Sequence, residues 1–230
     1  MRIRFRYAKL GRIRWTSQRD VARMWERALR RVAIPVAQTS GFSPRPKLSF
    51  GLALPTGAES LAEYLDVELA EPVSASEVSA RLEGQFPTGI YITAAAELEA
   101  RGSSLQQDVT SCTWEIEVPE TRPDELRDVV NAALQASSLP VRRQRKGREE
   151  DDDIRESVKE LSVLEDGPTS LRAALATRPR GVRPSELGRA LGIELGLSCR
   201  THQWIESEGP NEEPLVADAA RLHEALERAS

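Results

Sequence analysis

Apolar and polar residues alternate over 2–7, with Ile3, Phe5 and Tyr7 on one side and Arg2, Arg4 and Arg6 on the other. They alternate again over 11–16, where Ile13 and Trp15 oppose Arg12 and Arg14. A period of two marks strands, and Ala8-Lys9-Leu10-Gly11 reads as a turn or bulge between them. From residue 17 the period lengthens. Val21, Met24, Trp25, Ala28, Leu29 and Val32 fall on one helical face, Ser17 offers an N-cap hydroxyl with Asp20 three residues on, and Pro35 bars continuation. A helix over about 17–33 follows. Strands are expected at 48–54, 63–69 and 90–96, with a helix over about 74–85 opened by the capping-box pair Ser74 and Glu77. Taking 2–16 as one bent strand or hairpin, the order is β-α-β-β-α-β.

The second half has the same rhythm. Residues 112–118 alternate as a strand, and Thr121 with Asp124 caps a helix carrying Leu126, Val129, Val130, Ala133 and Leu134 on one face. Segments 139–145 and 154–164 are candidate strands, and 171–176 is an apolar segment of undetermined type. Pro184 opens a helix that Gly192 closes, and 198–205 forms a last strand. The expected fold class is α+β: two tandem ferredoxin-like (β-α-β-β-α-β) domains with a C-terminal helix. The expected boundaries are 1–98, a linker at 99–108, 109–206, and a tail at 207–230 whose helix carries Leu215, Ala219, Leu222 and Leu226.

Length supports two domains of about 100 residues. With 40% apolar and 30% charged residues the chain is ordinary for a globular protein. No run approaches the roughly 20 apolar residues of a membrane span, and the Met1-Arg2-Ile3-Arg4 start lacks a signal-peptide core, so no membrane association and a cytoplasmic location are expected. Cys112 and Cys199 are read as small buried apolar residues; His202 and His223 stand apart from any cysteine pair, so local spacing builds no metal site, and no cofactor is expected. His223 is expected to be exposed. Charge is polarised. Residues 1–50 hold 13 Lys and Arg against Asp20 and Glu26, whereas the remainder holds 19 against 34. Such asymmetry points to a polyanion or an acidic partner for the first module, or to neutralisation within the chain.

Four blocks occur in order: Arg12-Ile13-Arg14-Trp15-Thr16-Ser17-Gln18-Arg19-Asp20, Gly41-Phe42-Ser43-Pro44-Arg45-Pro46-Lys47-Leu48-Ser49-Phe50, Leu54-Pro55-Thr56-Gly57 and Glu63-Tyr64-Leu65-Asp66. Together they resemble the bacterial radical SAM-linked protein family, a domain of unknown function found alone or fused behind a radical S-adenosylmethionine enzyme. The match is specific over about 1–70 and looser through Arg142 to Arg148 and Ile154-Arg155. The resemblance implies association with, or descent from a role beside, a radical S-adenosylmethionine enzyme in RNA-related metabolism; it supplies no reaction. Gln18 departs from the family, which commonly has a histidine there, and an amide performs no general acid or base work near neutral pH.

Arginine suits phosphate through its planar fork of donors and permanent charge. Arg19, Arg23, Arg27 and Arg30 would form a ridge along the first helix, flanked by Arg12 and Arg14, with Phe42, Arg45 and Lys47 on a proline-stiffened loop. A solvated helix face fits the ridge equally, and a rigid connector fits the loop. Trp15, Trp25 and Phe42 are read first as core residues, with Trp15 or Phe42 a stacking platform if exposed. Arg2, Arg4 and Arg6 are expected to pair across the sheet with Asp66 or Glu68. The run Arg142, Arg143, Arg145 and Lys146 is a second anion contact or, with the acids 149–153 that follow, a self-neutralising hairpin. The expected function is a non-catalytic accessory module that binds RNA, or docks a radical S-adenosylmethionine enzyme acting on RNA. A metal-independent endoribonuclease and an adaptor for an acidic protein are the alternatives.

Overall fold

A computed structural model describes residues 1–98, 104–145, 148–164, 167–207 and 209–229, without the side chains of 144, 145 and 148. In chain order, β1 (Arg2–Lys9), α1 (Gln18–Arg31), β2 (Leu48–Phe50), β3 (Glu59–Glu68), α2 (Ala75–Leu82), β4 (Ile90–Leu98) and the single turn α3 (Leu105–Asp108) come first. Then follow β5 (Val109–Glu117), α4 (Pro123–Gln135), β6 (Pro140–Arg145), β7 (Arg148–Asp153), β8 (Val158–Leu164), β9 (Ser170–Ala176), α5 (Pro184–Leu191), β10 (Ser198–Ile205) and α6 (Ala219–Ala229). The fold is α+β. It divides into two compact units: Met1–Val109 with Ile205–Ser230, and Thr110–Trp204.

In the first unit the strands run β4-β1-β3-β2, and β1 is antiparallel to both neighbours. That order, with α1 and α2 on one face, is consistent with a ferredoxin-like arrangement. Ile3, Phe5 and Tyr7 of β1 face the helices and surround Trp25, whose ring lies 5.3 Å from those of Phe5 and Tyr7 and 4.6 Å from Phe86. The caps fall where their hydroxyls are: Ser17 accepts from the Asp20 amide at 3.3 Å and Ser74 from the Glu77 amide at 3.2 Å.

The alternation over 11–16 is not a strand. β1 ends at Lys9, Gly11 takes φ +67°, and Gly11–Trp15 winds into a 3₁₀ turn. The turn is held from outside. Glu59 accepts the Gly11 amide at 2.7 Å, and Lys9 Nζ caps the Thr16 carbonyl at 2.9 Å. Gly89 is required beside it, because a Cβ there would lie 2.4 Å from the Leu10 carbonyl oxygen.

The other face of this sheet is polar yet buried. Arg4 Nε and Nη2 grip Asp66 at 2.7 and 2.9 Å, while Arg2 stands 3.8 Å from the same carboxylate. Arg6 donates to Glu213 at 2.7 Å and to the carbonyls of Leu61 and Leu215 at 3.2 Å. Tyr64 donates to the Leu215 carbonyl at 3.2 Å, with Glu213 Oε1 at 3.4 Å, and burial pushes its phenol above its ordinary range. The segment ahead of α6 therefore covers this face. The Asp218 amide bonds to the Thr93 carbonyl and Arg221 to Ser79. Leu215, assigned to the tail helix by its spacing, instead packs beside Ala62, Tyr64 and Leu105.

Of the expected 99–108 linker, 99–103 lie outside the described residues, and α3 packs through the buried Leu105. In the second unit the strands run β10-β5-β9-β8, and β6 and β7 form a separate hairpin between α4 and β8. Arg122 caps α4, its amide within 3.5 Å of Glu125, rather than Thr121. The segment 171–176 is β9. Its alanines at 173, 174 and 176 are all buried, which erases the alternation that would have typed it. Gly192, at φ +67°, ends α5 as its position suggested.

Candidate functional site

α1 turns Val21, Trp25, Ala28 and Leu29 inward, which sets Arg19, Arg23, Arg27 and Arg30 outward, all exposed. The helix spans about 21 Å at 1.5 Å per residue. Arg23 lies 3.5 Å from Asp20, whose carboxyl the Ser17 hydroxyl holds below the ordinary carboxylate range; slight burial opposes this, and Arg23 and, more weakly, the charge of Arg19 add to it. Arg19, Arg27 and Arg30 form no ion pair among the described residues, and neither does Glu26. At the N-terminal end of the helix Arg12 is equally exposed and unpaired among them. Arg14 is otherwise employed. It lies 3.5 Å from Glu59, donates to the Gly11 carbonyl at 3.2 Å, and stacks 5.5 Å from the Trp15 ring centroid.

Trp15 and Phe42 are not core residues. Trp15 is 65% exposed, resting one edge on Gly57, where a Cβ would come within 2.9 Å of the ring, and Phe42 is fully exposed. Phe42 sits at the tip of an arm formed by 37–47. The Thr39 amide donates to the Arg45 carbonyl and the Lys47 amide to the Ala37 carbonyl, each at 2.8 Å. Gly41, at φ +126°, turns the tip. Lys47 pairs with Glu68 at 2.8 Å; Arg45 is exposed with no ion pair among the described residues. Between the arm and the C-terminal half of α1 lies a cleft of about 590 Å³, floored by Leu29, Ile34 and Val36, walled by Pro44 and Pro46, and rimmed by Glu26, Arg30 and Gln38.

The second basic run meets its acidic complement directly. β6 pairs with β7 in a register that sets Arg142 opposite Asp151 and Arg143 opposite Glu150. Arg142 lies 3.3 Å from Asp151 and 3.7 Å from Glu149. Arg143 hydrogen-bonds the buried Glu186 and lies 3.5 Å from Asp152, which Arg180 approaches at 2.7 Å. Arg145 ends β6, and its side chain lies outside the described residues, as do 146 and 147. In the first 50 residues, by contrast, Arg12, Arg19, Arg27, Arg30 and Arg45 stand together on one module and form no salt bridge among the described residues.

Gln18 opens α1, half-buried. Among the described residues no group of three or more His, Cys, Asp or Glu side chains is placed to hold a metal ion. Cys112 is buried and Cys199 half-buried, both as free thiols. His202 stacks on Trp204 at 5.0 Å, and His223 lies exposed, 3.3 Å from Glu227. No described helix is long and apolar enough to cross a membrane.

Residue types alone missed Glu26 and the cleft, since nothing in the sequence brings 26–30 beside 44–46. The exposure of Phe42 had a signal: Gly, Ser and Pro surround it with no apolar residue at i±2.

The arrangement belongs to a recognised class of bacterial chain. Residues 2–184 match the family described as "Uncharacterized protein conserved in bacteria (DUF2344)", and the chain belongs to that family. No curated protein matches the sequence. Among solved structures it is similar, at 12% identity and a TM-score of 0.44, to a chain of the "Crystal Structure of a Cbf5-Nop10-Gar1 Complex". That likeness covers 86% of this chain and 49% of the other, so the chain spans about half the length of the one it matches.

Proposed function

We propose that the protein is a non-catalytic accessory module that binds RNA through the outer face of α1 and the arm 37–47. The observation that carries this is a set of exposed arginines, Arg12, Arg19, Arg27, Arg30 and Arg45, that form no salt bridge among the described residues, on the same module as two exposed aromatics, Trp15 and Phe42. Arginines along a line contact successive phosphates, and exposed rings stack bases whatever their identity. Arg23 joins them, being only loosely held by Asp20. Arg14 and Lys47 support the site from its edges. Arg142 and Arg143 are engaged elsewhere in the chain and contribute least.

Each unit is read as one ferredoxin-like repeat, the first centred on residues 1–98 and the second on 109–206, in a cytoplasmic protein. The resemblance in the four N-terminal blocks adds a companion, a radical S-adenosylmethionine enzyme acting on the bound RNA. Co-purification with and without nuclease separates a partner held through RNA from one held by protein contact.

Binding of single-stranded RNA measured across salt tests the central reading. Five phosphate contacts give a slope near about −3.5 in log affinity per log salt. Affinity indifferent to salt, or unchanged when Arg19, Arg23 and Arg27 become Glu, sinks it. Cleavage of labelled RNA in the same samples without metal would favour the endoribonuclease.

A further inference from the structure

The cleft beside the arm has features that a phosphate track does not need. Its volume of about 590 Å³ falls within the roughly 300–1,000 Å³ of small-ligand pockets. Its floor is apolar and its two proline walls are stiff, which suits the flat face of a base. Glu26 and Arg30 stand one turn apart at its mouth, at a spacing where a Glu and an Arg ordinarily pair, yet they form no ion pair. α1 contains two acids. Asp20 is occupied by Ser17 and Arg23, so Glu26 is the uncommitted one. A carboxylate among phosphate-binding arginines weakens their hold on a polyanion unless it meets hydrogen-bond donors on the ligand.

Resting on the RNA reading above, we propose that this cleft takes one unpaired guanine of the bound strand. A carboxylate only accepts hydrogen bonds. Guanine presents two adjacent donors, N1–H and the N2 amino group, that match its two oxygens. Adenine and cytosine each offer one amino group, and uracil sets a single N–H between two carbonyl oxygens that a carboxylate repels. Arg30 takes the attached phosphate. Gln38, whose Nε2 donates to the Val36 carbonyl at 3.3 Å, retains its carbonyl oxygen as a further acceptor on the rim.

The full chain is titrated with oligouridine strands about nine nucleotides long, carrying at the centre uridine, adenosine, cytidine, guanosine or inosine. The guanosine strand is expected to bind about tenfold tighter than oligouridine, and inosine, which lacks the N2 amino group, to lose most of that gain. Glu26→Gln raises affinity for the strands without guanosine and abolishes the guanosine preference, with the thermal melt unchanged because Glu26 is exposed. Arg30→Gln lowers affinity for all strands alike. Equal affinity for all five strands in the unsubstituted protein, or a guanosine preference that survives Glu26→Gln, overturns the guanine site while salt-dependent binding leaves the RNA reading standing. Absence of salt-dependent binding to any strand overturns both.

Discussion

Arg4 and Arg6 on β1, and Arg27 and Arg30 on α1, are the same residue type within one module, and they meet opposite fates. The strand pair is 8% and 2% exposed and its charge is met by Asp66 and Glu213. The helix pair is exposed and has no ionic partner among the described residues. The difference is one of neighbours. A strand buried on this face has its side chains met from within the fold: Asp66 stands opposite Arg4 on β3, and Glu213 reaches Arg6 from the segment ahead of α6. The outer face of a helix faces whatever arrives. Arginine content therefore says little about ligand binding until the acids that meet each arginine are known, and the β6–β7 hairpin repeats the lesson, since its basic strand lies against an acidic one.

The sharpest break in this comparison is Arg4→Ala against Arg27→Ala in denaturant unfolding. Removing Arg4 leaves the buried Asp66 only Arg2, 3.8 Å away, and is expected to cost about 3 kcal/mol, the lower end of the range for a broken buried pair, whereas Arg27→Ala stays within about 0.5 kcal/mol. Exchanging the Arg4–Asp66 pair for Met and Leu together is expected to recover most of the loss, because well-packed apolar replacements of buried pairs are often neutral.

Next in size, charge reversal of Arg19, Arg23 and Arg27 is expected to lower RNA affinity by about a hundredfold and to flatten the salt slope by about 0.7 per lost contact. Glu substitutions on this face should leave the melting temperature almost unmoved. Phe42→Ala comes third. Loss of one stacked base weakens binding by about 1–3 kcal/mol with no change in stability, and a destabilised fold would instead mark Phe42 as a packing residue. The smallest effect concerns Asp20. Its folded carboxyl titrates below the ordinary 3.8, so its contribution is present above that value and is lost as pH falls through the folded value. An acid titration followed by helical circular dichroism should show Asp20→Asn slightly less stable than the parent near neutral pH, the difference closing below pH 3.8.

Much of the fold was legible. α1 and α2 were marked by Ser17 and Ser74 and by helical spacing, and most strands by alternation. The failures were local coincidences. Ile13 and Trp15 alternate with arginines inside a 3₁₀ turn, since a five-residue window cannot separate a period of two from one of three. β9 carries alanine on both faces and so shows no period at all. At the site, the ridge was legible because helical spacing alone turns Arg19, Arg23, Arg27 and Arg30 outward. The cleft was not, because it depends on the arm folding back beside residues 26–30. Nor was the partner of Arg6, which stands 207 positions away in the sequence.

That long separation also bears on synthesis. Thr110–Trp204 is an insertion in the chain path of the other unit, whose polar sheet face is closed by residues 213–215. On the ribosome the strand bearing Arg4 and Arg6 emerges early. Their cover follows only after the inserted unit, 207 residues after Arg6, roughly 10–40 s later at ordinary elongation rates. For that interval the nascent module carries a row of guanidinium groups without Glu213, the counter-charge of Arg6, a state in which a chaperone has time to act.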